Sequence, residues 1–153
     1  MVSLREQSHS FQDMLPLIQE QIALGGSVRI TPKGTSMLPM LRQGVDTVVL
    51  SPVPERLRKY DIPFYQRDNG QFVLHRIVGV GETYTCIGDN QFALEKGVRK
   101  AQMIAVVTAF TRGNREISVT DPGYRNYCRF WHYSRPLRHL WRWVLGRLRR
   151  ERR

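Results

Sequence analysis

Between Ser27 and about Val119 the chain is cut into short β-type runs by clusters of Gly, Pro, Asn and Asp, a texture that fits an antiparallel β domain and little else. The runs are Val28 to Thr31, Thr47 to Leu50, Ile62 to Tyr65, Phe72 to Val80, Thr83 to Ile87, Met103 to Phe110 and Glu116 to Val119. Asp68-Asn69-Gly70 and Arg112-Gly113-Asn114 supply hairpin and turn chemistry between them. The most apolar run, Met103 to Phe110, reads as a buried strand. A chain of 153 residues supports one such domain with a genuine core, and its 41% hydrophobic and 24% charged residues exclude a disordered or wholly membrane-embedded protein.

The flanks read differently, so three segments are expected: 1–26, 27–120 and 124–153. In the first, Phe11, Met14, Leu15, Ile18 and Ile22 have helical spacing, with Asp13 as N-cap, Pro16 in the first turn and Gly25-Gly26 as the stop. The cluster Asp121-Pro122-Gly123 breaks the chain before the last. There Ser134 is a candidate N-cap, and Leu137, Leu140, Trp141, Val144, Leu145 and Leu148 form an apolar stripe with arginines mostly off it. From Arg125 onward ten arginines face the single acid Glu151, so 10 − 1 = +9 of the net charge of +11 lies at this end. A basic amphipathic C-terminal helix is expected, suited to an anionic membrane surface or to packing on the β domain. Nucleic acid is disfavoured as a partner, because no recognition fold accompanies the arginines.

No run approaches the ~20 apolar residues of a spanning helix, and Glu6, Asp13 and Glu20 interrupt what would be a secretory signal. A cytoplasmic or peripheral membrane location follows as the expectation. Cys86 and Cys128 form no Cys-x-x-Cys pair, so free thiols are expected and no metal or cofactor is indicated.

Three segments carry candidate chemistry. A serine needs a base to take its proton and donors to hold an oxyanion. Ser36 lies in Lys33-Gly34-Thr35-Ser36-Met37-Leu38-Pro39, where the glycine allows close backbone approach to a carbonyl. His75 lies inside the apolar run Val73-Leu74-His75-Arg76-Ile77-Val78-Gly79, where alternation places Val73, His75 and Ile77 on one face and Leu74, Arg76 and Val78 on the other. Cys86-Ile87-Gly88-Asp89-Asn90-Gln91 offers a carboxylate at a strand end, with Glu95 shortly after.

In this order the three segments resemble the nucleophile, general-base and third boxes of the signal-peptidase and LexA-type serine peptidase superfamily. Arg42-Gln43-Gly44-Val45-Asp46 and Lys59-Tyr60-Asp61-Ile62 resemble its paired turn-and-strand elements, and the likeness spans about Ile30 to Phe110. A histidine at the base position resembles the endoplasmic-reticulum and archaeal type, where the bacterial type has lysine. The resemblance implies a mainly β peptidase domain in which Ser36 is the nucleophile and His75 the general base. Asp89 or Glu95 is implied as the acid that orients His75 or its surroundings, and Gly34, Thr35 and Met37 as the substrate and oxyanion segment. The implied activity is cleavage of a leader or signal-like peptide from a precursor. The alternative is a peptidase-like module, weak or inactive, that binds peptide or membrane. Three residues depart from the pattern: Gly34 where many relatives carry a hydroxyl, Tyr60 where a glycine is usual, and Pro63 at a position that should disfavour a central strand.

Overall fold

A computed structural model describes residues 11–151 of the chain. Its helix α1 (Phe11–Ala23) is followed by strands β1 (Val28–Ile30), β2 (Val48–Ser51), β3 (Pro63–Gln66), β4 (Phe72–Leu74), β5 (Arg76–Val80), β6 (Tyr84–Ile87), β7 (Glu95–Val98), β8 (Met103–Arg112) and β9 (Arg115–Ser118), then α2 (Pro122–Tyr133) and α3 (Arg135–Glu151). Two antiparallel sheets result. The larger runs β1-β2-β8-β3-β4, with β9 also on β8, and the smaller runs β5-β6-β7.

The long strand β8 organises the larger sheet. It pairs β2 along one edge, and β3 and then β9 along the other. Its apolar run is continuous because both of its faces are covered. Ala105, Val107 and Phe110 join a core with Val48, Leu50, Phe64 and Ile18 of α1. Val106 points the other way, into a second core with Tyr65, Val73, Ile77, Tyr84, Cys86 and Val98, which is roofed by the smaller sheet. The larger sheet therefore has the helices and the Met37–Leu41 loop on its first core and the smaller sheet on its second, while Arg76 of β5 and Asp89 after β6 also meet α2 directly.

Several expectations are refined. The N-terminal helix begins at Phe11, so Asp13 lies in its first turn instead of capping it, and Pro16 is inside the helix. The stop is as expected: Gly25 has φ +79°, and Gly26 N–H donates to Gln21 O and Gly25 N–H to Ile22 O, the paired bonds of a glycine C-cap. Residues 1–10, part of the 1–26 segment, lie outside the described residues.

The run Phe72 to Val80 is not one strand. It breaks at His75, where the chain leaves the larger sheet as β4 and enters the smaller one as β5. The two faces nevertheless alternate as expected, since Val73 and Ile77 enter the second core while Leu74 packs on the first. Pro63 does stand in a central strand, but as its first residue, where a missing N–H is tolerated.

The C-terminal segment is two helices, not one. Asp121-Pro122-Gly123 starts a helix instead of breaking the chain: the Asp121 carboxylate accepts from the Tyr124 N–H, and Pro122 fills the first helical position. The helix α2 then buries Tyr124 and Cys128 in the first core, and Ser134 separates it from α3. Among the described residues no helix is long and apolar enough to cross a membrane.

Candidate active site

The loop from Pro32 to Arg42 and strand β4 with its continuation at His75 form two walls of a cleft of about 390 Å³, and Asn90 and Gln91 form part of a third. Ser36, His75, Gly34, Thr35 and Met37 all line it. Ser36 is half-buried, whereas His75 is only 3% exposed. Met37 does double duty, because its side chain also belongs to the first core and anchors the loop next to Ser36. The Leu38–Pro39 peptide that follows is cis.

The loop is fixed from the opposite side by the third box. Asn90 N–H donates to Ser36 O at 2.8 Å, and Asn90 Nδ2 donates to Thr35 O at 3.2 Å. Gly88 packs so closely that a Cβ there would lie 2.6 Å from Ser36 O and 3.1 Å from Ser36 Cβ. Glycine is thus required at position 88 by contact with the backbone of Ser36. Among the described residues the Ser36 N–H donates to no acceptor, which leaves it free to meet an oxyanion. Gly34, at φ +94°, holds a left-handed conformation that an ordinary side chain would adopt only with strain.

His75 sits where the two sheets part. Its ring meets Tyr65 edge-on with centroids 6.4 Å apart. Its Nδ1 is buried without a hydrogen bond and lies 3.7 Å from Glu95 Oε2, just beyond hydrogen-bonding distance. Nε2 is not among the buried orphan atoms and bonds to no described residue, so it is the ring nitrogen that meets the cleft. No hydrogen bond joins Ser36 Oγ to His75 among the described residues. Burial lowers the His75 pKa from 6.5 to about 4, with the Glu95 carboxylate acting in opposition. The imidazole is therefore neutral near pH 7, as a general base must be.

The two acids have separate places. Glu95, at the start of β7, stands beside His75 and accepts from Arg67 Nε at 2.8 Å, Arg67 Nη2 at 2.7 Å and Tyr65 Oη at 2.7 Å. The Arg67 bonds, outweighing burial, hold its carboxyl below the usual glutamate range. Burial and the bond to Glu95 push the Tyr65 phenol up, so it remains a donor. Asp89 does not face His75. It is clamped by Arg76, whose Nε and Nη2 each donate to one of its oxygens at 2.8 Å, and Tyr127 Oη donates to it at 3.2 Å. The role implied for Asp89 falls on the surroundings of His75, not on the imidazole.

Arg76 is the residue that sequence reasoning placed on a face without giving it a task. At 2% exposure it reaches Asp89, Tyr124 Oη, Cys128 Sγ and Met40 Sδ, linking β5, the segment after β6, α2 and the loop that carries Ser36. The signal was present. An arginine inside an apolar run whose two faces are both buried needs a buried carboxylate, and Asp89 supplies it. Arg67 and Tyr65 gave no comparable signal, since their roles depend on pairing β3 beneath His75.

Cys86 and Cys128 are free and buried, and burial pushes the Cys86 thiol up to about 12. Compared with protein-family models, curated proteins and solved structures, the chain matches none.

Proposed function

We propose that this chain is a serine endopeptidase of the signal-peptidase type, cleaving a leader or signal-like peptide from a precursor, with Ser36 as nucleophile and His75 as general base. The observation that carries the reading is that the cleft gathers Ser36 from one loop and a neutral, buried His75 from the junction of two sheets. The Ser36 hydroxyl attacks the scissile carbonyl as its proton passes to His75 Nε2, and the Ser36 N–H stabilises the oxyanion. His75 returns the proton to the leaving amine, and a water deprotonated by the same nitrogen releases the acyl group. Glu95 stabilises the transient imidazolium across 3.7 Å, and a small approach of its carboxylate completes the bond to Nδ1.

A signal-peptidase-like fold is part of the proposal. Tyr60 has φ +81°, a left-handed conformation that favours glycine, at the position where the resemblance expects one. Its N–H donates to Ile77 O at 2.8 Å, and its ring meets His132. A cytoplasmic or peripheral membrane location is likewise proposed. A fluorophosphonate probe tests the chemistry: labelling that disappears in Ser36→Ala and falls sharply in His75→Ala is expected. A probe that never reacts at Ser36 favours the second reading, a peptide-binding module, which the unbonded Ser36–His75 pair and Gly34 also suit.

A further inference from the structure

We propose that the apolar side of α3, with Leu38, Pro39 and Phe92 facing it, is a docking surface for an anionic bilayer leaflet. Leu137, Leu140, Trp141, Val144 and Leu148 recur at helical spacing, and four of the five stand more than half exposed, Leu137 at 72% and Trp141 at 65%. So much apolar area is not left in water without a partner. Across from it, Leu38, Pro39 and Phe92 complete a groove of about 750 Å³. The helix is held to the domain by its edge and not by this stripe. Arg138 stacks 3.6 Å from the centre of the Trp131 ring, Arg142 lies over Phe92, and His139 also meets Phe92.

Charge selects the occupant. The α3 sequence holds six arginines and one glutamate, so a second copy of this chain docked on the same face would bring two basic helices together. An anionic leaflet instead accepts the apolar stripe below the headgroups and the arginines among the phosphates. With Arg147 beside Trp143, the helix has a cation and an aromatic ring suited to that depth. Nothing in this arrangement spans the bilayer, in keeping with the absence of a membrane-crossing helix among the described residues. Asn90 lines both the groove and the Ser36 cleft, and Leu38-Pro39 follow the nucleophile directly, so docking holds the cleft mouth beside the membrane surface.

The test uses the full chain and vesicles of phosphatidylcholine with or without phosphatidylserine. Co-sedimentation with the anionic vesicles and a blue shift of tryptophan emission are expected, with little binding to neutral ones. Leu140→Asp, at an exposed position, should keep the helical circular dichroism and lower partitioning by about tenfold or more, and Arg147→Gln with Arg149→Gln should lower it and flatten its salt dependence. Absence of binding to anionic vesicles at low salt overturns the proposal, as does binding that Leu140→Asp leaves unchanged. Retention on soluble polyglutamate without vesicle binding also overturns it and points to an acidic macromolecule. Ser36→Ala should bind like the unaltered chain, so the result stands apart from that of the catalytic reading.

Discussion

The burial of His75 has a consequence for stability that can be worked out from its titration. In the unfolded chain the imidazole takes its proton near pH 6.5, whereas in the folded protein burial delays protonation to about 4. In the window between those values the unfolded state binds more protons, so acid favours unfolding. His75 therefore contributes its full stability above pH 6.5 and loses it progressively as the pH falls towards 4. Over the whole window the loss amounts to about 3 kcal/mol, and between about pH 7.5 and pH 5 it is about 2 kcal/mol. Staying above pH 5 avoids most of the protonation of Glu95 and Asp46, whose carboxyls arginine bonds hold down. His132 is also shifted down, by burial, Lys59 and Arg135, so a comparison variant is needed. Urea unfolding of the unaltered chain and of His75→Gln at the two pH values provides it. The unaltered chain should lose about 2 kcal/mol more than the variant. Equal losses, or an NMR titration of His75 with a midpoint near 6.5, would refute the buried neutral base and with it the basis of the proposed mechanism.

Three other substitutions separate the parts of the site. Gly88→Ala places a methyl group against the Ser36 carbonyl, and a loss of about 1–3 kcal/mol in urea unfolding with a larger fall in probe labelling is expected. Asp89→Asn leaves the Arg76 guanidinium buried without its counter-charge, and thermal or urea unfolding should register about 3–5 kcal/mol. Glu95→Gln removes the charge that raises the His75 pKa, so its titration should move further down while turnover falls, with a smaller stability loss than in Asp89→Asn. An unmoved His75 titration in Glu95→Gln would separate that acid from the base.

How far the sequence could be read depended on the range of the interactions involved. The strands were legible because alternation and turn residues act locally, and the faces of Leu74, His75 and Arg76 came out as expected even though the strand breaks at His75. That break was not legible, because it comes from two sheets competing for one chain and not from any Gly or Pro at the point of exchange. The helix α2 departs from expectation for a local reason: Asp-Pro-Gly is both a turn and a helix start, and only the burial of Tyr124 and Cys128 in the first core, Tyr124 against Phe110 of β8, decides between them. Within the site, the segments holding Ser36 and His75 were legible from their residue types. The partner of each carboxylate was not, because it depends on which strand lies beneath which side chain.

The break at His75 also explains why the two acids cannot exchange roles. Consecutive residues on a strand point to opposite faces, and here His75 and Arg76 straddle the passage from one sheet to the other. His75 turns towards the second core and finds Glu95, carried by β7 of the smaller sheet. Arg76 turns towards the first core and finds Asp89, with α2 closing over the pair through Tyr124, Tyr127 and Cys128. Both acids come from the β6–β7 part of the smaller sheet, Asp89 from the connection that turns towards α2 and Glu95 from β7, where it bonds Tyr65 of the second core. Asp89 still bears on Ser36, but through the backbone: with its charge fixed by Arg76, its neighbours Gly88 and Asn90 lie against Ser36. The carboxylate lost in Glu95→Gln cannot be replaced by that of Asp89, since both oxygens of Asp89 are already engaged by Arg76. The acid beside His75 and the acid behind the Ser36 loop thus face different cores because His75 and Arg76 point to opposite sides of the chain.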